Sequence, residues 1–351
     1  MLSELHTQPH KGRNKILLVH TGGIGDLIMA RPSVQYVYNK HQSALIDFLG
    51  NPDSIKILMH DSWINKFIPV PSKQKNIINI LKILLVLLRI RLAKYDYLFL
   101  LQPVLSEDSH RRLKLFINMG AAKKTIGRKS KFGRNFLDVA VPENASLHEV
   151  ERMLLVVSGD GEAQGPFKYY LPESFAGKIK LPDKIPDKPF AILGPGGTKN
   201  FRRWPIDNFL KLAQRFHNIG MMVVFVGDDK EIDILSGREE QLPEGTVNMI
   251  GETDLEQLAA LIRKSRIVVA NDSGPMHLAN ALGVPVVGIF GSGDPVRTRP
   301  YIMDNARVID SPARDCKPCY RQECKSPYCM EEITTESVWE AVLGLLDGRQ
   351  H

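Results

Sequence analysis

A carboxylate within a glycine-rich segment near the start of the chain is the first candidate for chemistry. Residues 20–33 read HTGGIGDLIMARPS and follow an apolar run at 15–20, which predicts a buried strand and then a tight turn. Asp26 stands where the turn should become a helix, so its carboxylate could be a general base for a hydroxyl nucleophile or a helix cap. Ile28 takes the place of the third glycine of a dinucleotide fingerprint, which argues against an NAD enzyme. The loop glycines, which let the backbone approach a ligand closely, are Gly22, Gly23 and Gly25.

A second glycine-rich segment, residues 194–205, combines backbone N–H groups with cations. It reads GPGGTKNFRRWP and follows a predicted strand at 190–193. N–H groups at such a turn, together with Lys and Arg side chains, suit a diphosphate; a basic surface loop is the alternative. The candidate donor-binding residues here are Thr198, Lys199 and Arg202.

The third segment delivers polar residues to a predicted helix N-terminus. An apolar run at 267–269 precedes Asp272, Ser273 and Gly274, and His277 falls one turn into the helix. The free N–H groups and the helix dipole favour an anion at such a place. A weaker feature is VVFVGDDKE, in which Asp229 or Glu231 could bind ribose hydroxyls or simply be solvated.

The cysteines form a cluster with the spacing C-x2-C-x4-C-x4-C. Clustering in a large chain argues against a disulfide scaffold and favours a structural Zn or Fe site, with free thiols as the alternative. The four are Cys316, Cys319, Cys324 and Cys329.

Strands and helices alternate along the chain, which predicts parallel βαβ units. The expected fold is α/β, with two Rossmann-like domains facing a central cleft. Because ligands bind at the carboxyl ends of such strands, the motifs should converge there. The predicted divisions are an N-terminal Rossmann-like domain at 14–165, a linker at 166–189, a C-terminal Rossmann-like domain at 190–333, and a terminal helix and tail at 334–351.

The G-x-G-D loop, the K/R-x-W-P loop and D-S-G-x-x-H, in this order, resemble glycosyltransferase family 9, the ADP-heptose:lipopolysaccharide heptosyltransferases. The similarity covers residues 14–346. It implies a GT-B fold, with an N-terminal acceptor-binding domain and a C-terminal nucleotide-sugar-binding domain. It also implies an inverting displacement that requires no metal cofactor. Asp26 matches the family's base, and the residues from Asp272 to His277 match its donor-phosphate loop. Arg202 stands where many members have Lys.

The resemblance implies transfer of heptose from ADP-heptose to the lipid A-core acceptor of lipopolysaccharide. The alternatives are a family 9 transferase for another nucleotide sugar in envelope glycan synthesis, and a nucleotide-sugar epimerase or binding protein of the same fold. An epimerase would convert the donor with no acceptor present.

Composition indicates a globular enzyme with a basic surface. The 351 residues are 43% hydrophobic and 24% charged, with a formal net charge of +7. Residues 1–13 lack the apolar core of a signal peptide, so we expect a cytoplasmic protein, with peripheral contact at the inner membrane and no nucleic-acid partner. We expect two basic clusters to bind a phosphorylated acceptor: Arg111, Arg112 and Lys114, then Lys123, Lys124, Arg128, Lys129, Lys131 and Arg134.

The most apolar stretch, residues 77–90, is too short to span a bilayer, which needs about 20 apolar residues. We predict that it forms an ordinary buried helix of the sheet. The alternative is contact with a membrane surface, aided by Arg89 and Arg91.

Overall fold

A computed structural model describes residues 13–70, 77–104, 106–129, 136–159, 167, 169–177, 179–185, 188–312, 315–319 and 323–348. The chain divides into two compact units, residues 1–169 and 170–351. The boundary between the units falls inside the stretch predicted as a linker. Lys131 and Arg134 of the second basic cluster lie outside the described residues, as do residues 1–12, 160–166, 168, 178, 186 and 187.

The first unit is a six-stranded parallel sheet with the strand order β3-β2-β1-β4-β5-β6. Its strands are mostly apolar because helices cover both faces of a parallel sheet. Leu17 and Val19 face a cluster that includes residues of α3 and α4, whereas α1 and α5 pack together elsewhere in the unit. The elements are β1 Lys15–His20, α1 Ile24–Lys40, β2 Leu45–Gly50, α2 Pro52–Ile55, β3 Lys66–Pro69, α3 Ile77–Ala93, β4 Tyr95–Leu100, α4 Glu107–Asn118, β5 Ala122–Arg128, β6 Val139–Val141 and α5 Glu149–Ser158.

The second unit repeats this arrangement with the order β12-β11-β10-β7-β8-β9. Trp204 anchors its core, packing edge-to-face on Phe209 and donating from Nε1 to the carbonyl of Ile333. The terminal helix α11 packs into the same core through Val338 and Val342. The elements are β7 Phe190–Gly194, α6 Ile206–Asn218, β8 Met222–Phe225, β9 Val247–Asn248, α7 Leu255–Lys264, β10 Ile267–Asn271, α8 Gly274–Ala281, β11 Val286–Phe290, α9 Pro295–Thr298, β12 Ala306–Asp310, α10 Tyr328–Glu331 and α11 Thr335–Asp347.

The strand order reverses direction once in each sheet, between β1 and β4 in the first unit and between β7 and β10 in the second. In doubly wound sheets, ligands bind in the crevice outside the carboxyl ends of the strands at this switch point. The loops that follow β1, β7 and β10 are the glycine-rich and D-S-G segments singled out in the sequence. Two Rossmann-like α/β units of GT-B type are therefore confirmed.

Helix α3 corrects one prediction. Among its seventeen residues only Asn79 and Ile90 are buried, so it is not an ordinary buried helix. Apolar residues surround its circumference, and a sheet can cover only one stripe of a helix. Its exposed aliphatic side chains, 42% to 74% accessible, are Ile77, Ile78, Ile80, Leu81, Ile83, Leu84, Leu85, Leu88 and Leu92. None of the helices within the described ranges is long and apolar enough to cross a membrane.

Candidate active site

Asp26 lies in the first turn of α1, and its side chain partly caps the helix. Its Oδ2 accepts a hydrogen bond of 2.9 Å from the backbone N–H of Gly23. Within the described part of the chain, no hydrogen bond reaches Oδ1, and the residue is only half-buried. Capping and base chemistry are therefore compatible, because one oxygen fixes the carboxylate and the other can meet a ligand.

Gly22 separates the Asp26 carboxylate from the imidazole of His20. A Cβ atom built on Gly22 would lie 2.2 Å from Asp26 Oδ2 and 2.7 Å from His20 Cε1. The ring of His20 is buried, and its Nδ1 accepts a 3.1 Å hydrogen bond from the Gly22 N–H. A neutral imidazole in this position therefore carries its proton on Nε2. A side chain at position 22 would therefore displace the Asp26 carboxylate, the His20 ring or both.

Two residues that the sequence analysis did not identify hold the loop after β1. Gln102, just after β4, accepts with Oε1 from the Thr21 N–H at 2.5 Å and from Thr21 Oγ1 at 2.8 Å. Ser54 donates from Oγ to the carbonyl of Gly22 at 2.9 Å. These three bonds join the β1 loop to neighbouring segments and so hold the turn that carries Asp26. Only the order of the strands reveals that Gln102 is a neighbour of Thr21.

In the second unit, Asn271 joins the loops that follow β7 and β10. Its amide is buried; Nδ2 donates to the carbonyls of Pro195 and Gly196 at 2.8 and 3.0 Å. Its Oδ1 accepts from the Trp204 N–H at 3.1 Å. One asparagine thus uses both amide hydrogens and its oxygen to fix the spacing of the two phosphate-binding candidates.

The N-terminus of α8 offers unsatisfied N–H groups. Ser273 is its N-cap residue, but the Ser273 Oγ donates to the carbonyl of Asn271 at 3.0 Å, and no described side chain caps the helix. An uncapped N-terminus with its positive dipole end favours an anion. Two residues separate Gly274, where this helix begins, from Asn271, the last residue of β10.

His277 lies one turn into α8 with its ring buried. Its Nε2 is 3.8 Å from Asp272 Oδ1, and Asp272 Oδ2 accepts from Thr298 Oγ1 at 3.2 Å. Its Nδ1 is buried and has no hydrogen-bond partner among the described residues. A buried polar atom without a partner calls for a ligand or a water, because leaving it bare costs free energy.

The carboxylate of Glu231 binds the loop that follows β7. Its Oε1 accepts from the Gly197 N–H at 2.6 Å, and its Oε2 accepts from the Asp228 N–H at 3.0 Å. Arg203 adds a 3.3 Å ion pair to the same carboxylate and two hydrogen bonds to the carbonyl of Gly197. This geometry engages both oxygens of Glu231 in the loop itself. Asp229 is exposed, and ribose binding at either carboxylate stays a prediction.

The cations of the second loop differ in how they are held. Arg202 is half-buried; its Nη2 donates to the carbonyl of Cys319 at 2.6 Å, and its Nε is buried with no partner in the described ranges. Lys199 Nζ lies over the Phe201 ring, 5.6 Å from its centroid, and Thr198 is exposed. The bond to Cys319 therefore holds the Arg202 guanidinium in place, and its Nε–H is not used by any described residue.

The cysteine segment packs against this loop. All four cysteines line one cavity of about 110 Å³ together with Phe201 and Ser292, and the Cys319 N–H donates to the Ser292 carbonyl at 2.9 Å. Burial and the neighbouring cysteines raise the pKa of the Cys329 thiol. Within the described ranges, no three His, Cys, Asp or Glu side chains form a group that could hold a metal ion. Structural Zn or Fe stays a prediction.

The described residues of the second basic cluster differ in their surroundings. Arg128 is 3% exposed and ion-paired with Glu143 and Glu149. Lys123 and Lys124 stand at the amino end of β5, whereas the Asp26 loop follows the carboxyl end of β1. The assignment of these three residues to the acceptor stays a prediction. Arg111 and Arg112 are exposed on α4.

The sequence was compared with protein-family models and with known proteins. The family model "Glycosyltransferase family 9 (heptosyltransferase)" matches residues 90–329. The lipopolysaccharide core heptosyltransferase OpsX of Haemophilus influenzae is 32% identical over 112 residues, which are 31% of this chain and 32% of that protein. The chain therefore matches about a third of that relative's length.

Longer similarities extend over nearly the whole chain. The lipooligosaccharide heptosyltransferase 2 of Campylobacter jejuni is 22% identical over 91% of this chain and 95% of its own length. The solved structure of E. coli ADP-heptose LPS heptosyltransferase II has a TM-score of 0.74 at 23% identity and covers 96% of this chain and all of that chain. The chain belongs to glycosyltransferase family 9.

Proposed function

We propose that the chain transfers heptose from ADP-heptose to the inner core of lipopolysaccharide. The observation that carries this proposal is the anion site at α8, where an uncapped helix N-terminus stands beside the buried, unpartnered Nδ1 of His277. Family membership and the heptosyltransferase names of its relatives support the sugar and the acceptor. The similar E. coli protein of known structure is an ADP-heptose LPS heptosyltransferase, which supports ADP-heptose as the donor.

In the proposed reaction, the acceptor hydroxyl attacks the anomeric carbon of the heptose. Its proton passes to Asp26 Oδ1 as the new C–O bond forms and the bond to the β-phosphate oxygen breaks. ADP leaves with that electron pair, and the configuration at the anomeric carbon is inverted. The bond from the Gly23 N–H to Oδ2 keeps the carboxylate in one orientation while Oδ1 takes the proton.

Charge develops on the leaving diphosphate, and this chain's own groups are proposed to stabilise it. The N–H groups of α8, Ser273 and the free Nε of Arg202 are the candidates, with Lys199 beside them. Donors that are already fixed in place need little reorganisation as charge develops. The carbonyl of Cys319 and the amide of Asn271 do this fixing for Arg202 and for the two loops. We therefore propose that catalysis requires no divalent ion.

A lipid A-core acceptor is anchored in a membrane, so the proposed function places the chain in the cytoplasm at the inner-membrane surface. Bound acceptor would bring its hydroxyl to the β1 loop. The candidates for binding a phosphorylated acceptor stay Arg111, Arg112, Lys123, Lys124 and Arg128, of which Arg111 and Arg112 are exposed on α4.

The test is a product assay with purified protein, ADP-heptose and heptose-deficient lipopolysaccharide. We expect the acceptor mass to rise by one heptose and ADP to be released only when acceptor is present. Conversion of the donor without acceptor would instead indicate an epimerase. Tight donor binding without any turnover would indicate a binding protein.

A further inference from the structure

Helix α3 presents an apolar surface that no part of the described chain covers. Nine of its aliphatic side chains are 42% to 74% exposed. Val86, Ile90 and Ala93, in the C-terminal half, pack on the core cluster of the first unit. Residues 77–85 contribute nothing to that cluster, and Asn79 is the buried residue among them, so the aliphatic side chains of the first half of the helix are exposed. Exposed apolar patches of this size mark interaction surfaces.

The charges on α3 are all positive, and those on the neighbouring helix α4 are mostly positive. The helix contains no Asp or Glu, and its Lys82, Arg89 and Arg91 are exposed. Helix α4 packs on the same core cluster, and its Arg111, Arg112 and Lys114 are exposed next to Leu115. The acidic residues of α4 are confined to its first turn, Glu107 and Asp108. The two helices thus combine six basic groups with two acidic ones.

We propose that α3 docks the chain on an anionic phospholipid bilayer by lying in the interface with its aliphatic side chains among the acyl chains. Long Lys and Arg side chains can bury their stems and keep their charged heads at the level of the lipid phosphates. Seventeen residues of helix are about 25 Å long, which suits a helix lying on the membrane. The proposal rests on the proposed function only in that the acceptor is membrane-anchored.

Charge complementarity favours lipid over a second copy of the chain. A twofold interface through α3 would bring the same surface of both copies together. Lys82, Arg89 and Arg91 of each copy would then face those of the other, with no carboxylate on either helix to offset them. An anionic leaflet supplies the opposite charge and an apolar layer at once.

Vesicle flotation tests the proposal without any enzymatic readout. We expect wild-type protein to float with phosphatidylcholine vesicles that contain phosphatidylglycerol, and to bind pure phosphatidylcholine much more weakly. The variant Leu81→Gln/Leu84→Gln/Leu88→Gln changes one exposed stripe of α3 and should lower partitioning at least about tenfold. The variant Lys82→Gln/Arg89→Gln/Arg91→Gln should lower it by about fivefold per charge on anionic vesicles.

The matched control is Met59→Gln/Ile219→Gln/Leu343→Gln, which removes three exposed apolar side chains outside α3 and should float like wild type. Circular dichroism and ADP calorimetry check that each variant is folded. Flotation of the α3 variants at the wild-type level, or wild type that does not float, would overturn the proposal. So would a wild-type dimer that the leucine variant converts to monomer without any change in lipid binding. Because flotation needs no sugar, failure of the heptose assignment would leave this result unchanged.

Discussion

Replacing Gly22 by alanine should disable transfer through the Asp26 carboxylate, whereas the same change at Gly23 should not. The new methyl carbon at position 22 would lie 2.2 Å from Asp26 Oδ2 and 2.6 Å from its Cγ. A carbon and an oxygen in contact need about 3.5 Å, so the carboxylate must shift by about 1 Å or turn to another rotamer. At Gly23 nothing lies within 4 Å of the added carbon, and its φ of −81° suits alanine.

A misplacement of about 1 Å in a reacting group can cost about 100-fold in rate. We therefore expect Gly22→Ala to lose about two orders of magnitude in kcat for heptose transfer. Crowding near the helix start should also cost about 1–3 kcal/mol of unfolding free energy. ADP affinity should stay at the wild-type level, because the phosphate-binding candidates belong to the other unit. Gly23→Ala should match wild type in all three measurements.

The assay measures kcat for transfer, ADP affinity by calorimetry and thermal unfolding for both variants. The double variant Gly22→Ala/Asp26→Asn completes a double-mutant cycle. If the alanine acts only through the carboxylate, adding it to the Asp26→Asn variant should lower kcat little further. Wild-type kcat in Gly22→Ala would refute the argument. Equal loss in the Gly22 and Gly23 variants would show that the loop backbone, and not the Asp26 contact, is responsible.

Three further outcomes follow from the second unit. Activity should persist in EDTA, because fixed N–H groups and Arg202 are assigned the leaving-group charge; loss restored by Mg²⁺ or Mn²⁺ would contradict this. His277→Ala should weaken ADP binding by roughly 10- to 150-fold and adenosine binding much less, by calorimetry, since a hydrogen bond to a charged group is worth about 1.5–3 kcal/mol. Burial raises the pKa of Cys329, so below that pKa iodoacetamide should label this thiol more slowly than the exposed Cys316. Peptide mass spectrometry should show the difference between the two labelling rates narrowing as pH rises. Faster labelling of Cys329 than of Cys316 would contradict the burial argument.

The sequence predicts those strands that are made of apolar residues and are therefore buried. The apolar run at 15–20 appears as β1, Lys15–His20, with the bounds that the pattern indicates. In contrast, β5, with the sequence AKKTIGR, carries two lysines and a glycine and becomes a strand through its pairing with β4. A strand of this kind depends on its neighbours in the folded sheet, and the local pattern of apolar residues does not predict it.

The candidate site was predictable where a loop follows a strand and hidden where a partner comes from elsewhere in the chain. Asp26 and the D-S-G loop lie where the pattern places them. The contacts of Gln102 with Thr21 depend on β4 lying beside β1, which the strand order alone reveals. Arg128 resembles any surface cation in the sequence, yet Glu149, 21 residues away, buries it in an ion pair.

The error over α3 has a related cause. A continuous apolar run indicates that a helix will be covered, without indicating by what. The core accepts one stripe of α3, through Val86 and Ile90, and the remaining aliphatic residues are left exposed. Identifying the covering partner requires the exposed surface and its charges, and these are properties of the folded unit.

Mass spectrometry of lipopolysaccharide from a strain that lacks this gene tests the central claim most directly. We predict a core that lacks one heptose and the sugars attached beyond it. The wild-type gene should restore the full-length core, whereas a gene for the Asp26→Asn variant, expressed at the same level, should leave the core truncated. Full-length lipopolysaccharide in the deletion strain, or complete restoration by Asp26→Asn, would contradict heptose transfer by this chain through Asp26.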